Sequence, residues 1–113
     1  MERKEIIAKN ISWLAGKCMS YIDVTIEDSG VDKHSKKVMM KKLFNEQVYG
    51  LGDYLLDNDD IGEGCKRLLD SLARLVVTAI GDKSQRSQFV ILISRKINEF
   101  KNRFNDDLLE RMD

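Results

Sequence analysis

Few side chains in this chain have the chemistry of a catalytic or metal site. His34 is the only histidine, so neither a His-x-x-x-His nor a Glu-x-x-His metal site of a helical bundle is present. Serine and cysteine nucleophiles lack a base for the same reason, because no second imidazole exists. His34 stands in a lysine-rich stretch and is predicted to be an exposed surface residue.

The acidic turn at residues 57–63 has part of the spacing of a calcium-binding loop. Counted from Asp57, positions one and three are acidic and position six is Gly62, but position five is Ile61 and position twelve is Leu68. A calcium loop has oxygen ligands at both of those last positions. The turn is therefore interpreted as a helix-capping segment, and no metal is expected.

The glycines and cysteines also indicate a non-enzymatic protein. The pairs at residues 50 and 52 and at 62 and 64 lack the third glycine of a dinucleotide motif, and no Gly-Lys-Ser/Thr loop exists. Cys18 and Cys65 stand 47 positions apart on apolar stripes, which is typical of reduced core thiols. No polar residue is assigned to the inward stripes. We therefore expect no cofactor, no small-molecule substrate and no enzymatic activity.

Length and composition predict one globular domain over residues 1–113. Apolar residues make up 42% and charged residues 34%, which excludes a disordered chain and a membrane span. Lys plus Arg and Asp plus Glu number 19 each, so binding to nucleic acid would need a local patch, and zero net charge favours self-association. The charged N-terminus lacks the apolar run of a signal peptide. A cytoplasmic protein without membrane contact is expected.

Four segments carry apolar residues at spacings of three and four, separated by short Gly, Asp, Asn and Ser breaks. They predict helices at about 2–28, 33–57, 60–80 and 84–111. Similar lengths and tight connections predict an all-α antiparallel four-helix bundle. The stripes expected to face inward are Ile7, Ile11, Leu14, Cys18, Ile22 and Ile26; Met40, Phe44, Val48, Leu51 and Leu55; Ile61, Cys65, Leu68, Leu72, Leu75 or Val76, and Ala79; and Phe89, Ile93, Ile97, Phe100, Phe104 and Leu108.

Two segments also have features of β-strands. Residues 22–26 alternate with period two and are β-branched, although the helical stripe continues through them, so helix is preferred. Residues 89–93 are apolar all round, which fits a strand or a helix buried on more than one side. Gly50 and Gly52 keep the stripe in phase, and this predicts a weakened or bent helix with close backbone approach.

The breaks contain residues that start and end helices. The predicted caps are Gly30 as a left-handed C-cap of the first helix, Asp32 or Ser29 for the second, Asp60 with Glu63 as a capping box for the third, and Asp82 or Ser84 for the fourth.

Basic residues cluster at the starts of the second and fourth helices. Antiparallel topology places both starts at the same end of the bundle, where they could converge and contact phosphates. The alternative is a solvated face balanced by acidic residues at 57–60 and 106–107 at the other end. The members of this predicted basic patch are Lys33, His34, Lys36, Lys37, Lys83 and Arg86.

Some apolar residues fall outside the main stripes. Surplus apolar surface marks a partner or self-association face, while ordinary wide-stripe packing is the alternative. The members of this predicted interface are Trp13, Val77, Val90, Ile91 and Leu92.

The segment from Leu72 to Arg103, with its Ile80-Gly81-Asp82-Lys83-Ser84 break and its Gln88-Phe89-Val90-Ile91-Leu92 restart, resembles the helical small subunit of type III CRISPR effector complexes. The resemblance covers under a third of the chain and consists of generic helix–turn–helix residues. It therefore assigns no functional residue.

Together these features predict a non-enzymatic helical interaction or regulatory protein, such as an adaptor, an inhibitor or a complex subunit. Regulators and inhibitors of phage or plasmid type share this profile. The expected partner is another protein, a second copy of the chain in a homo-oligomer, or both. The alternative is a nucleic-acid-binding accessory subunit that uses the basic patch on the second and fourth helices.

Overall fold

A computed structural model describes residues 1–26 and 30–112, and in these ranges the chain forms four α-helices. They are α1 (Arg3–Thr25), α2 (Val31–Asp57), α3 (Ile61–Ala79) and α4 (Lys83–Met112). The predicted bounds hold to within three residues, although residues 27 and 28 of the first predicted helix lie outside the described ranges. No strand occurs in the described residues. Residues 22–25 and 89–93 are therefore helical, as the stripes indicated.

The helices form an elongated bundle with principal extents of 51 × 22 × 20 Å. Each helix packs against its neighbours along the chain, and α1 also packs against α4, which closes the ring. Because the connections are short, consecutive helices run antiparallel. The predicted all-α four-helix bundle is confirmed.

The predicted stripes meet in one core. The Phe44 ring of α2 and the Phe89 ring of α4 pack edge to face across it, with centroids 5.9 Å apart and an interplanar angle of 81°. Further along α4, Phe100 and Phe104 stack with centroids 6.0 Å apart. The fully buried core is built mainly from Ile6, Ile11, Leu14, Cys18, Ile22, Phe44, Val48, Leu55, Leu72, Val76, Phe89, Ile93 and Phe100.

Two of the predicted caps are confirmed by hydrogen bonds. The backbone N–H of Glu63 donates to Asp60 Oδ1 at 3.0 Å, and the N–H of Gln85 donates to Asp82 Oδ1 at 2.9 Å. Each bond satisfies a donor that the first helical turn leaves without an intrahelical partner. Asp60 therefore starts α3 and Asp82 starts α4.

Two of the caps predicted around Gly30, Gly30 itself and Asp32, are wrong. Gly30 has a positive φ of 108° but directly precedes α2, so it is the residue before that helix and not the C-cap of α1. Ile26 takes the C-cap position of α1, in extended conformation. Asp32 lies inside α2, and Ser29 lies outside the described residues. Only glycine reaches this positive φ without steric cost, and it sets the direction in which the chain enters α2.

The helical glycines differ in what surrounds them. A Cβ on Gly52 would lie 3.2 Å from Ile11 Cγ1, and one on Gly64 would lie 2.8 Å from Leu51 Cδ1. A Cβ on Gly50 would meet nothing within 4 Å. The predicted close approach is therefore found at Gly52 and not at Gly50.

One buried polar residue was missed by the stripe assignment. Asn10 of α1 is fully buried, and its Nδ2 donates to Ile6 O at 2.9 Å and to Asp107 Oδ2 of α4 at 2.8 Å. Lys9 Nζ lies 3.5 Å from the same Asp107 oxygen. The expectation that no polar residue faces inward is wrong at Asn10, whose amide links α1 to α4.

Arg3 performs a similar function between α1 and the end of α2. Its guanidinium donates to the carbonyl of Leu55 and, at 2.9 Å, to that of Asn58. The same group lies 3.5 Å from Asp59 Oδ1 and 5.8 Å from the centre of the Phe104 ring. One side chain therefore joins α1, the α2–α3 turn and α4 at this end of the bundle.

Candidate interaction surface

The most apolar hollow described on the surface lies between α3 and α4, beside the turn that joins them. Val77 of α3 is 57% exposed and Ile91 of α4 is 52% exposed. Both line a shallow, open depression that we call the turn-end hollow. Its lining residues are Val77, Lys83, Arg86, Ser87, Val90 and Ile91.

A second hollow lies further along the same pair of helices. It contains Leu69 and Ile97 beside cationic and polar side chains. Its lining residues are Cys65, Lys66, Leu69, Ser94, Arg95, Ile97, Asn98 and Lys101. We call the two hollows together the α3–α4 groove.

The charged side chains that line the groove are all cationic: Lys66, Lys83, Arg86, Arg95 and Lys101. Among the described residues, none of these five forms an ion pair. Elsewhere in the described residues some cations pair, such as Lys9 and Lys96, and others, such as Lys42 and Arg74, do not. The groove therefore combines an apolar floor with cations that have no counter-charge in the described part of the chain.

Arg86 has a further feature that is relevant to binding. Its Nε is buried, yet it has no hydrogen-bond partner in the part of the chain that the structure describes. A buried donor without a partner costs free energy, about 1–3 kcal/mol in typical cases. A ligand acceptor that reached this donor would recover part of that cost.

The two thiols are part of the packing and are not reactive groups. Burial raises the pKa of Cys18 to about 12 and that of Cys65 to about 11, although the nearby Lys101 partly offsets the second shift. Both cysteines are buried and neither forms a disulfide, which confirms the prediction of core thiols. Since the neutral thiol is a poor nucleophile, Cys65 at the floor of the groove supplies packing only.

The predicted basic patch is divided between two hollows. Lys33 and Lys36 line one at the end of the bundle, together with Gly81 of the α3–α4 turn and Gln85 of α4. The antiparallel topology therefore brings the starts of α2 and α4 to one end, as predicted. Lys83 and Arg86, however, line the turn-end hollow instead.

The other members of the basic patch have their own surroundings. Lys37 Nζ lies 3.6 Å from Asp23 Oδ1 and donates to Asp23 O at 3.1 Å. Lys41 also pairs with Asp23, and its hydrogen bond is the main reason that the pKa of this carboxyl lies below its ordinary value. His34 is exposed, as predicted. None of the hollows described above is lined by all six patch residues.

Three of the five predicted interface residues meet in the turn-end hollow: Val77, Val90 and Ile91. The other two lie elsewhere. Trp13 is half-buried between α1 and α4, with the Arg103 guanidinium 4.5 Å and Lys17 Nζ 6.0 Å from its ring centre. Leu92 is half-buried and lies about 200° around α4 from Val90, so it does not line the groove.

The residues of the acidic turn contribute to helix ends. Asp57 is the last residue of α2, Asp59 lies beside Arg3, and Asp60 caps α3. The described residues contain no group of three or more His, Cys, Asp or Glu side chains placed to hold a metal ion. Within the same residues, no helix is both long enough and apolar enough to cross a membrane.

Sequence reasoning missed Lys66, Leu69, Arg95 and Lys101 as groove residues. The signal was present on α4, where Ser94, Ile97 and Lys101 follow Val90 at spacings of four, three and four. Apart from Ile97, which also belongs to the core stripe, this row runs beside that stripe and lines the groove against α3. Lys66 and Leu69 form the corresponding row on α3, three positions apart.

The groove is suited to binding an apolar side chain between carboxylates. Its floor provides apolar contacts, and its lining cations provide charge-assisted hydrogen bonds.

Comparison of the chain with protein family models, with curated proteins and with solved structures gives no significant match.

Proposed function

We propose that this is a non-enzymatic helical interaction protein that binds a segment of a protein in the α3–α4 groove. The observation that carries the proposal is the juxtaposition of half-exposed Val77 and Ile91 with Lys83 and Arg86, which have no counter-charge among the described residues. The segment that fits this surface has apolar side chains flanked by Asp or Glu.

Two physical arguments support a protein ligand. Exposed apolar side chains scattered singly are ordinary, but Val77, Val90 and Ile91 line one depression. Uncompensated cations around an apolar centre also give specificity, because they repel basic partners and attract acidic ones. No exposed aromatic ring lines the groove for stacking on a base, as far as the described residues show.

Affinity purification from the native host, with mass spectrometry of the bound proteins, tests this proposal. The variant Ile91→Glu places an anion in the turn-end hollow and should abolish capture of the specific partner. Leu56→Glu is the matched control, because Leu56 is 50% exposed but lies on α2, away from the groove. Equal capture by the wild type and both variants would refute a role for the groove.

A second candidate function is nucleic-acid binding. It is favoured because no carboxylate of the described residues lines the groove. This candidate predicts that log affinity for duplex DNA falls with log salt, with a slope of about −0.9 per phosphate contacted. Lys66→Glu and Lys101→Glu should each reduce that slope. Fluorescence anisotropy with labelled duplexes across a salt series measures the slope. No binding at the lowest salt concentration would exclude this candidate.

A further inference from the structure

The solvent side of α4 carries a regular row of residues that the packing of the bundle does not use. The residues follow one another at spacings of four, three, four, three and four, which is a heptad pattern. All of them are exposed. We call this row the outer seam, and its members are Ile91, Arg95, Asn98, Asn102, Asn105 and Leu109.

The outer seam has the same spacing when it is read in either direction, and its residue types match except where Arg95 corresponds to Asn105. It has an apolar residue at each end, Ile91 and Leu109, and the amides Asn98 and Asn102 near its centre. Two such rows packed antiparallel would place Ile91 opposite the partner's Leu109, and Asn98 opposite the partner's Asn102. A surface that matches itself under a two-fold rotation is the requirement for a symmetric dimer.

The charges beside the seam also match in this arrangement. Leu109 is 62% exposed and is flanked by the exposed carboxylates Asp106 and Glu110. Ile91 lies in the turn-end hollow beside Arg86. Leu109 therefore has the chemistry expected of the ligand of that hollow. The two lie 18 residues apart on one straight helix, or about 27 Å, so Leu109 cannot reach the hollow of its own chain.

We infer that the α3–α4 groove binds a second copy of this chain, through antiparallel pairing of the two α4 helices. This inference rests on the proposed function and names the segment that occupies the groove. Leu109 of each copy enters the turn-end hollow of the other, and Arg95 lies opposite the partner's Asn105, next to the adjacent Asp106. Each contact occurs twice because the dimer is symmetric. Facing asparagine amides donate to and accept from each other at the centre.

Sedimentation equilibrium or light scattering from micromolar to millimolar concentration tests this pairing. The wild type should form a dimer, and Leu109→Asp should raise the dissociation constant at least tenfold. Leu56→Asp is the matched control and should leave the dissociation constant unchanged. All of the substituted side chains are exposed, so far-UV circular dichroism and the thermal midpoint should not change.

A charge exchange tests the orientation of the two helices. Arg95→Asp and Asp106→Arg should each weaken the dimer about tenfold or more, because each puts like charges next to each other across the interface twice. The double variant restores opposite charges and should return to within about threefold of the wild type. Recovery in the double variant is not expected if the two residues act only within one chain.

The other outcomes separate this inference from the proposed function. A wild type that stays monomeric at every concentration would overturn the pairing, and so would a dimer that Leu109→Asp and the charge exchange do not affect. If such a protein still captures another protein in an Ile91-dependent manner, the proposed function remains. If duplex DNA binds the groove and no protein does, both the pairing and the proposed function fail.

Discussion

The glycines of α2 and α3 give a stability test in which one substitution has opposite effects at two positions. Gly50→Ala adds a methyl group that meets nothing within 4 Å. Alanine inside a helix is favoured over glycine by about 0.5–1 kcal/mol, so this variant should be more stable by that amount. In Gly64→Ala the new Cβ would lie 2.8 Å from Leu51 Cδ1 and 3.1 Å from the Tyr54 ring.

The contact between the new Cβ at position 64 and Leu51 Cδ1 is too close to persist. Leu51 is only 4% exposed, so its side chain must move within the packed core. Such overpacking costs about 1–3 kcal/mol, and the gain in helix propensity offsets only part of this cost. Gly64→Ala should therefore lose about 1 kcal/mol of unfolding free energy. The two variants should differ by about 2 kcal/mol.

Urea unfolding followed by far-UV circular dichroism measures both changes on the same scale. For a chain of this length, 1 kcal/mol corresponds to a shift of about 4 °C in the thermal midpoint, so calorimetry gives an independent value. A Gly64→Ala protein that is as stable as Gly50→Ala would refute the reasoning. It would mean that α2 and α3 separate at no cost, and that Gly64 is not required for their close approach.

Other predictions concern the buried amide and the thiols. Asn10→Asp would bring a second carboxylate to Asp107 and should cost about 3–5 kcal/mol in urea unfolding at neutral pH; an unchanged midpoint would exclude the buried link. The Asn10 hydrogen bond is the main reason that the pKa of Asp107 lies below its ordinary value of 3.8. The ionised carboxylate therefore stabilises the fold above this ordinary pKa, and its contribution is lost as the pH falls through the lowered pKa. The stability difference between the wild type and Asp107→Asn should therefore shrink below about pH 4 in unfolding measured across a pH series, and a constant difference would contradict this. Cys18 and Cys65 should resist iodoacetamide at about pH 8 until the protein unfolds, as mass spectrometry would show; rapid labelling of the native protein would argue against their burial.

Most of the fold could be predicted from the sequence because the apolar periodicity reports directly which side of each helix is buried. The rows through Leu14, Phe44, Leu72 and Phe100 all face inward. Residues 22–26 were ambiguous because β-branched side chains suit both a strand and a buried helical turn. Burial resolved the ambiguity, since Ile22 packs in the core one turn beyond Cys18.

Asn10 could not be predicted to lie inside, because a polar side chain faces inward only where another helix supplies its partner. That partner, Asp107, lies 97 positions away in the sequence. The turn around Gly30 was misread for a related reason. A glycine between two helices more often follows the end of the first helix, but it can also stand at the N-cap of the second, as Gly30 does.

The candidate site was only partly predictable. Val77, Val90 and Ile91 were identified from surplus apolar character, and the structure places them in one hollow. Leu92 was grouped with them because it also falls outside the main stripe, but it lies on a different side of α4 from Val90. The cations Arg95 and Lys101 were visible on α4, but their shared position facing α3 depends on how the helices are rotated in the bundle.

The position of Arg3 has a consequence for local fraying. The last carbonyls of a helix have no partner within it, and at the end of α2 two of these groups, in Leu55 and Asn58, accept from the Arg3 guanidinium. Loss of the first turn of α1 therefore removes the hydrogen-bond donor at the end of α2. These two helix ends, 52 residues apart in sequence at Arg3 and Leu55, will open and close as a single unit in amide hydrogen exchange.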